Sequence, residues 1–279
     1  MIKIVSRGKP GVSESRRRPA LCCGSMFAVL CLSIVFALLT GPAIVFAEGI
    51  PEIERQLIVA IGDSVVYGDA ISGGVGHANT IKGGWVTRLG NRLDEDFPGL
   101  YDISNKGIPG DTAQGALNRL NSDVIEQKPD VVILLAGGND IFGFAGVAPA
   151  SPTAPEYRAV MDEIFRELQT NLPDTAVFVL GMITPLKKYI EASWLGQYFT
   201  SMPPQEELEE AFGAYNDIAQ ELSAQFGFSF VDIPSQWPRD VEASWELSID
   251  GAHPNDIGYD KMTDYVLTAM RESSAVRSR

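Results

Sequence analysis

The stretch "DVVILLAGGND", residues 130–140, decides the fold class of this 279-residue chain. Six consecutive apolar residues, Val131 to Ala136, run into a Gly-Gly pair and then into Asn139 and Asp140. A continuous apolar run of this length, ended by glycine, predicts a strand that is buried on both faces. Helices must cover both faces of such a strand, and that arrangement defines an α/β protein.

Segments of the same character recur along the chain, and helical patterns separate them. The other predicted strands are Leu57 to Ile61, Tyr101 to Ser104, "TAVFVLGM" (175–182) and "SFVDI" (229–233). The predicted helices are 86–93, 112–126, 155–172, 206–227 and a last helix capped by Asn255. This alternation predicts one parallel sheet with right-handed crossovers, whose functional residues gather beyond the carboxyl ends of the strands.

The first 47 residues have the layout of a secretory signal peptide. A basic start precedes an apolar run from Met26 to Leu39, a Gly41-Pro42 break, and small residues at Val45 and Ala47. The apolar run is shorter than the roughly 20 residues of a spanning helix, so cleavage is favoured over a retained anchor. We therefore expect an exported protein, periplasmic or extracellular, with no stable membrane insertion after cleavage.

The remaining residues exclude several classes of function. All three cysteines lie within the first 47 residues, so the mature chain has no disulfide or thiolate metal site. That segment also holds six basic residues and one acidic residue, which leaves the rest of the chain with a net charge of −19. So acidic a chain is not expected to bind nucleic acid.

Polar residues that can carry out acyl transfer follow four of the predicted strands. Ser64 can act as a nucleophile only with a base, and His253 in "DGAHPN" (250–255) is the best candidate. Asp250, three residues earlier, can fix the imidazole tautomer. The Ser64 amide, Gly110 and Asn139 are candidate donors to an oxyanion. Each residue alone also suits an ordinary turn or helix cap, so the inference depends on their joint placement.

Four motifs carry a family resemblance. "GDSVVYG" (62–68), "NKGIPGDT" (105–112), "GGND" (137–140) and "DGAHPN" resemble, in order and spacing, the conserved blocks of the SGNH hydrolases, also called the GDSL esterase/lipase family. The chain is most similar to the bacterial branch of arylesterases, thioesterases and lysophospholipases. The resemblance runs from about Gln56 to the last helix, which makes residues 48–279 a single SGNH hydrolase domain.

The resemblance implies a fold and a mechanism. The expected fold is a three-layer α/β/α sandwich around a flavodoxin-like, five-stranded parallel sheet of order 2-1-3-4-5. Ser64, His253 and Asp250 become the catalytic triad, and Ser64, Gly110 and Asn139 the oxyanion hole. The implied enzyme is a serine esterase acting on a small-molecule or lipid-like ester, without a metal or other cofactor.

Other functions stay open at this stage. The same residues would serve a carbohydrate esterase that removes acetyl groups from glycans, and the fold could also serve as a non-catalytic glycan-binding module. A nucleotide-binding domain is disfavoured, because "GDSVVYG" is not a G-x-G-x-x-G phosphate loop. The long connection 184–204, which carries Trp194, suits either a substrate lid or local packing over the sheet edge.

Overall fold

The computed structural model describes residues 54–68, 83–142, 153–199 and 202–276. The predicted signal peptide and His77 lie outside the described residues, so the signal and the domain boundary at residues 47 and 48 stay predictions. Residues Ile53–Arg279 form one compact unit.

Five parallel strands form the centre of this unit. They are β1 (Gln56–Gly62), β2 (Tyr101–Gly107), β3 (Val131–Leu135), β4 (Ala176–Leu180) and β5 (Ser229–Val231). Their order is β2-β1-β3-β4-β5, and every neighbouring pair is parallel. The predicted α/β class and the strand order 2-1-3-4-5 are thereby confirmed.

Helices pack against this sheet. In chain order they are α1 (Ser64–Tyr67), α2 (Trp85–Asp96), α3 (Ala113–Asp123), α4 (Gly138–Phe142), α5 (Ala154–Asn171), α6 (Lys187–Ala192), α7 (Gln205–Phe226), α8 (Ile233–Gln236), α9 (Val241–Trp245) and α10 (Asp256–Glu272). Short 3₁₀ turns occupy Ile125–Gln127 and Trp194–Tyr198.

Side-chain burial explains why these segments adopt these elements. All five residues of β3 are buried, as the continuous apolar run predicts. In α5 the buried stripe is Tyr157, Met161, Ile164, Phe165 and Leu168. Val160, which the sequence pattern assigns to that stripe, is only half-buried, because Tyr157 and Met161 occupy the face toward the core.

Helix caps define where the helices near the sheet edge begin. Thr112 accepts a hydrogen bond from the Gly115 N–H and caps α3. Asn255 caps α10 through the N–H groups of Ile257 and Gly258. Thr112 and Asn255 are the last residues of "NKGIPGDT" and "DGAHPN", so each of these motifs leads directly into a helix.

Candidate active site

Ser64 lies directly beyond the carboxyl end of the central strand β1. It is the first residue of α1, and the Asp63 side chain caps that helix by accepting the Val65 N–H at 2.9 Å. Ser64 is only 9% exposed. Within the described residues its backbone N–H donates to no acceptor. The strand-to-helix turn therefore presents both the hydroxyl and an unbonded donor at the same point.

Ser64, His253 and Asp250 form a continuous hydrogen-bonded chain. The Ser64 Oγ lies 2.9 Å from His253 Nε2, and His253 Nδ1 lies 2.8 Å from Asp250 Oδ2. Asp250 is fully buried, and its Oδ1 also accepts the backbone N–H groups of Ala252 and His253, at 3.0 and 2.9 Å. The structure thus places the Asp250 carboxylate within hydrogen-bond distance of the imidazole.

The charge of Asp250 determines that the ring nitrogen facing it, Nδ1 of His253, carries a proton. Burial by itself raises the pKa of Asp250, but hydrogen bonds and the charge of His253 outweigh it and hold that pKa below its ordinary value. An ionised carboxylate can only accept, so Nδ1 carries the proton and donates it to Asp250. In the neutral imidazole the lone pair on Nε2 would then face the Ser64 hydroxyl, which is the arrangement that a general base requires.

The connection 184–204 packs against the turn that carries His253. The Leu186 N–H donates to the Gly251 carbonyl at 2.7 Å. Gly251 has φ = 93°, and a Cβ there would lie 2.8 Å from the Leu186 carbonyl oxygen and 2.9 Å from the Ile190 nitrogen. Only glycine fits this contact, so the described part of the connection supports the catalytic turn by direct packing.

A tight turn after β2 carries the Gly110 donor. The Asp111 N–H donates to the Ile108 carbonyl at 3.0 Å, with Pro109 and Gly110 in the two central positions. Gly110 has φ = 80°, the value that a type II turn demands at its third residue. In the described part of the chain the Gly110 N–H has no hydrogen-bond acceptor. This leaves it available to a ligand at the sheet edge.

Asn139 joins the ends of β2 and β3. Its Nδ2 donates to the Asp111 carbonyl at 2.9 Å and lies 3.5 Å from Asp63 Oδ2. The second distance exceeds the usual range of an N–H···O bond, so that hydrogen is weakly held. The three predicted oxyanion donors thus belong to three adjacent strand ends, those of β1, β2 and β3.

Two buried carboxyl groups lie close to these donors. Burial raises the pKa of Asp63 and that of Asp140 to about 6, against a partial opposing effect of the backbone N–H groups that they accept. Asp140 accepts the Ala113 N–H at 2.9 Å, which fixes the start of α3. Neither carboxyl group belongs to the expected triad or to the expected oxyanion hole.

Asp140→Asn should change how stability depends on pH. The pKa of Asp140 is raised in the folded state, so its charge destabilises the fold above pH 6, and protonation relieves this as the pH falls toward 4. Asparagine stays neutral throughout. The stability of the variant relative to wild type should therefore rise between pH 4.5 and 8, by at most about 3 kcal/mol. Thermal midpoints of both proteins across that range test this, and a difference independent of pH would contradict it.

A small cavity opens beside Ser64 and His253. Its volume is about 60 Å³. A water needs roughly 10–15 Å³ on this scale, so the cavity has room for on the order of four to six non-hydrogen atoms. Most of its wall is apolar; the apolar side chains are Val65, Leu135, Met182, Ile183, Pro185, Phe212, Pro254 and Met262. The site therefore joins a polar catalytic edge to a short apolar pocket.

Residues 54–68, 83–142, 153–199 and 202–276 hold no group of three or more His, Cys, Asp or Glu side chains arranged to bind a metal ion. The helices described there also include none that is long and apolar enough to cross a bilayer.

The chain is similar to proteins of known family. A family model described as "GDSL-like Lipase/Acylhydrolase family" matches residues 60–261. An acetylxylan esterase from Geobacillus stearothermophilus is 25% identical over 208 residues, which cover 73% of this chain and 89% of that protein. Esterase TesA from Pseudomonas aeruginosa is 44% identical over 87 residues, 31% of this chain and 40% of that esterase.

Solved structures show the same fold. A putative GDSL-like lipase from Parabacteroides merdae superimposes with a TM-score of 0.63 at 22% identity, covering 81% of this chain and 100% of that one. An acetylxylan esterase from Geobacillus stearothermophilus gives a TM-score of 0.59 at 23% identity, covering 81% and 99%.

Proposed function

The chain belongs to the GDSL-like lipase/acylhydrolase family and is a carboxylic ester hydrolase, and from that premise we propose that it is a serine esterase for short acyl groups. The observation that carries the proposal is the chain of hydrogen bonds from Ser64 through His253 to Asp250. A non-catalytic binding module of the same fold would have no need of a serine hydroxyl aligned with an imidazole nitrogen.

The proposed reaction begins when Ser64 Oγ attacks the ester carbonyl carbon. His253 Nε2 takes the hydroxyl proton, and Asp250 stabilises the resulting imidazolium. The negative charge on the former carbonyl oxygen is held by the Ser64 and Gly110 N–H groups and the Asn139 amide, at the edge where these donors meet. The bond to the alcohol then breaks, and His253 gives its proton to the leaving oxygen.

Water completes the cycle. His253 removes a proton from a water molecule, which attacks the acyl-Ser64 carbonyl carbon and forms a second tetrahedral intermediate. That intermediate collapses to release the carboxylic acid, and the proton returns to the Ser64 oxygen. The residues named supply every proton transfer, so the proposed cycle needs no metal or other cofactor.

The size of the apolar cavity supports a short acyl group. An acetyl group has three non-hydrogen atoms and a butyryl group five, both within the room that a volume of about 60 Å³ provides. A palmitoyl chain exceeds that room several-fold. This favours short esters over the long-chain lipase and lysophospholipase activities that occur in the same family branch.

A second candidate is the removal of acetyl groups from glycans. It is supported by the similarity to an acetylxylan esterase across 89% of that protein's length, together with a cavity of acetyl size. The two candidates share the catalytic step and differ in the alcohol. Acetate release from acetylated xylo-oligosaccharides, compared with release from a simple aryl acetate, distinguishes them.

Phe212→Val should lengthen the preferred acyl chain. Phe212, on α7, lines the cavity, and its replacement by a smaller side chain makes space for additional methylene groups. Across p-nitrophenyl esters from acetate to palmitate, wild type should show its highest kcat/KM with acetate or butyrate. Because one methylene in an apolar pocket is worth roughly tenfold or more, the octanoate-to-acetate ratio should rise at least about tenfold in the variant.

The matched control for this experiment is Phe165→Val. Phe165 is fully buried on α5 and packs against Phe226 and Phe228 rather than the cavity. Phe165→Val removes the same side-chain atoms as Phe212→Val and should lose a comparable amount of stability, but it should keep the acyl-chain preference of wild type. Equal octanoate-to-acetate ratios in both variants and wild type would show that this cavity does not receive the acyl chain.

We also propose that the enzyme acts outside the cytoplasm. The support is the basic, apolar and small-residue pattern of residues 1–47. Expression of the full chain with a C-terminal tag tests this, since cleavage after Ala47 predicts an exported product that begins at Glu48. An N-terminus that retains residues 1–47 would contradict the proposal.

A further inference from the structure

We propose that Arg119 is a positioning residue that holds the oxyanion donors in register, an inference that rests on the proposed serine esterase mechanism. Arg119 lies in the middle of α3, outside the four motifs that resemble the family blocks. Its side chain is only 14% exposed and points back toward the sheet edge. It contacts no residue of the triad directly, so any effect on the reaction must pass through its neighbours.

Arg119 binds the carbonyl groups at the ends of the two strands that lead into the site. Its Nη2 donates to the Gly62 carbonyl at 2.9 Å, and its Nη1 to the Lys106 carbonyl at 2.7 Å. Gly62 lies two residues before the Ser64 donor. Lys106 is the penultimate residue of β2 and lies four residues before Gly110. One guanidinium thereby ties together the two backbone segments that carry unbonded N–H groups.

The same guanidinium also holds the residue to which Asn139 is anchored. Arg119 Nε and Nη2 lie 2.8 and 2.6 Å from Asp111 Oδ2, and Asp123 completes its contacts at 2.9 Å from Nη1. The carbonyl of Asp111 in turn accepts the Asn139 amide at 2.9 Å. Arg119 is therefore linked to each of the three oxyanion donors through one intervening segment.

The geometry explains why this position requires arginine. The acceptors lie on separate segments, and a planar guanidinium with five N–H groups can reach them all at once. A lysine ammonium reaches fewer of them in fixed directions. Loss of the guanidinium would leave the Asp111 carboxylate without its charged partner and free the Gly110 turn and Asn139 to shift by fractions of an ångström.

A residue that only stabilises the fold would give a different kinetic pattern. Lower stability reduces the fraction of active enzyme but leaves the turnover of each folded molecule unchanged. Displaced oxyanion donors reduce kcat with little effect on KM, because those donors act mainly in the transition state. A positioning role also predicts coupling, since Arg119 and Asn139 then contribute to the same interaction with the oxyanion.

The test is a double-mutant cycle measured on p-nitrophenyl acetate with folded, titrated enzyme. Asn139→Ala should lower kcat roughly a hundred- to a thousandfold. Arg119→Met should lower kcat about ten- to a hundredfold with KM within about twofold of wild type. The loss in the double variant should fall short of the product of the two single losses by at least about threefold.

Arg88→Met is the matched control. Arg88 is another buried arginine, and it binds Asp256, Asp260 and the Gly83 carbonyl, away from the oxyanion donors. Its replacement should leave kcat of the folded enzyme within about twofold of wild type. Arg119→Lys should show the same pattern as Arg119→Met with a smaller loss, and it carries the test if the Met variant does not fold. The proposal is overturned if the loss of kcat in the double variant falls short of the product of the two single losses by less than about threefold. It is also overturned if the Arg88 and Arg119 variants lose kcat equally. Full activity of Ser64→Ala would instead overturn the mechanism on which it rests.

Discussion

Ser64→Ala should abolish ester hydrolysis while the protein stays folded. The Ser64 Oγ is the protein atom that forms the covalent bond to the acyl group in the proposed cycle, and loss of a triad nucleophile costs on the order of a millionfold in kcat. The hydroxyl makes its hydrogen bond to His253, while the helix α1 is capped by Asp63 and not by the serine. The thermal midpoint should therefore stay close to that of wild type.

The measurement is kcat on p-nitrophenyl acetate alongside the thermal midpoint of the same sample. Ser235→Ala provides a matched control, because Ser235 is exposed on the short helix α8 and its hydroxyl donates to the Asp232 carbonyl. That variant should keep full activity. Wild-type-like hydrolysis by Ser64→Ala would end the triad assignment.

His253→Gln should reduce kcat by a factor approaching that of Ser64→Ala. Glutamine cannot take the Ser64 proton, and removal of the triad base in such an enzyme costs about as much as removal of the nucleophile. The readouts are kcat on p-nitrophenyl acetate and the thermal midpoint, measured on the same sample of the variant.

The other histidine of the chain is the natural control. His77 lies in "SGGVGHANT" (72–80), and His77→Gln should keep full activity. Asp250→Asn should lower kcat by an amount between the effects of His77→Gln and His253→Gln, up to about ten thousandfold, because an amide at this position can favour the wrong imidazole tautomer. If His253→Gln lost only thermal stability and kept its turnover per folded molecule, His253 would be a structural residue of the turn.

The strands and the position of the site could be predicted from the sequence because both follow from simple patterns. Continuous apolar runs of five or six residues specify the buried strands β1, β3 and β4, and polar residues at the carboxyl ends of parallel strands meet at one edge. The strand order required the family resemblance, since apolar runs do not state which strands are neighbours. Ser64, His253 and Asp250 converge as expected, because each directly follows or closely precedes a regular element.

The roles of Arg119 and Phe212 could not be predicted in the same way. An arginine in the middle of a helix is normally exposed, and nothing in "GALNRLNSD" (115–123) indicates that its side chain turns back to the ends of β1 and β2. Phe212 has the spacing of any core residue of α7. Whether such a residue fills the core or limits a substrate depends on the distance between elements far apart in the chain.

The connection 184–204 shows the limit of pattern-based inference most clearly. Its aromatic residues suit a lid and local packing equally. Tyr189 stacks on Trp245 with ring centroids 4.1 Å apart, and its hydroxyl donates to Glu242 at 2.5 Å. The backbone of the same segment presses on Gly251. This backbone contact requires a glycine at position 251, two residues before His253. The sequence alone does not show the requirement, because it follows from how the two segments pack together.

The central claim, a covalent acyl-enzyme at Ser64, is tested most directly with a fluorophosphonate probe. The probe phosphonylates a nucleophilic serine oxygen with loss of fluoride, and peptide mass mapping identifies the serine modified. We expect one probe per molecule, attached to Ser64, together with complete loss of esterase activity and no labelling of Ser64→Ala. Labelling of another serine, or full hydrolysis by an enzyme that is quantitatively labelled at Ser64, would contradict the mechanism.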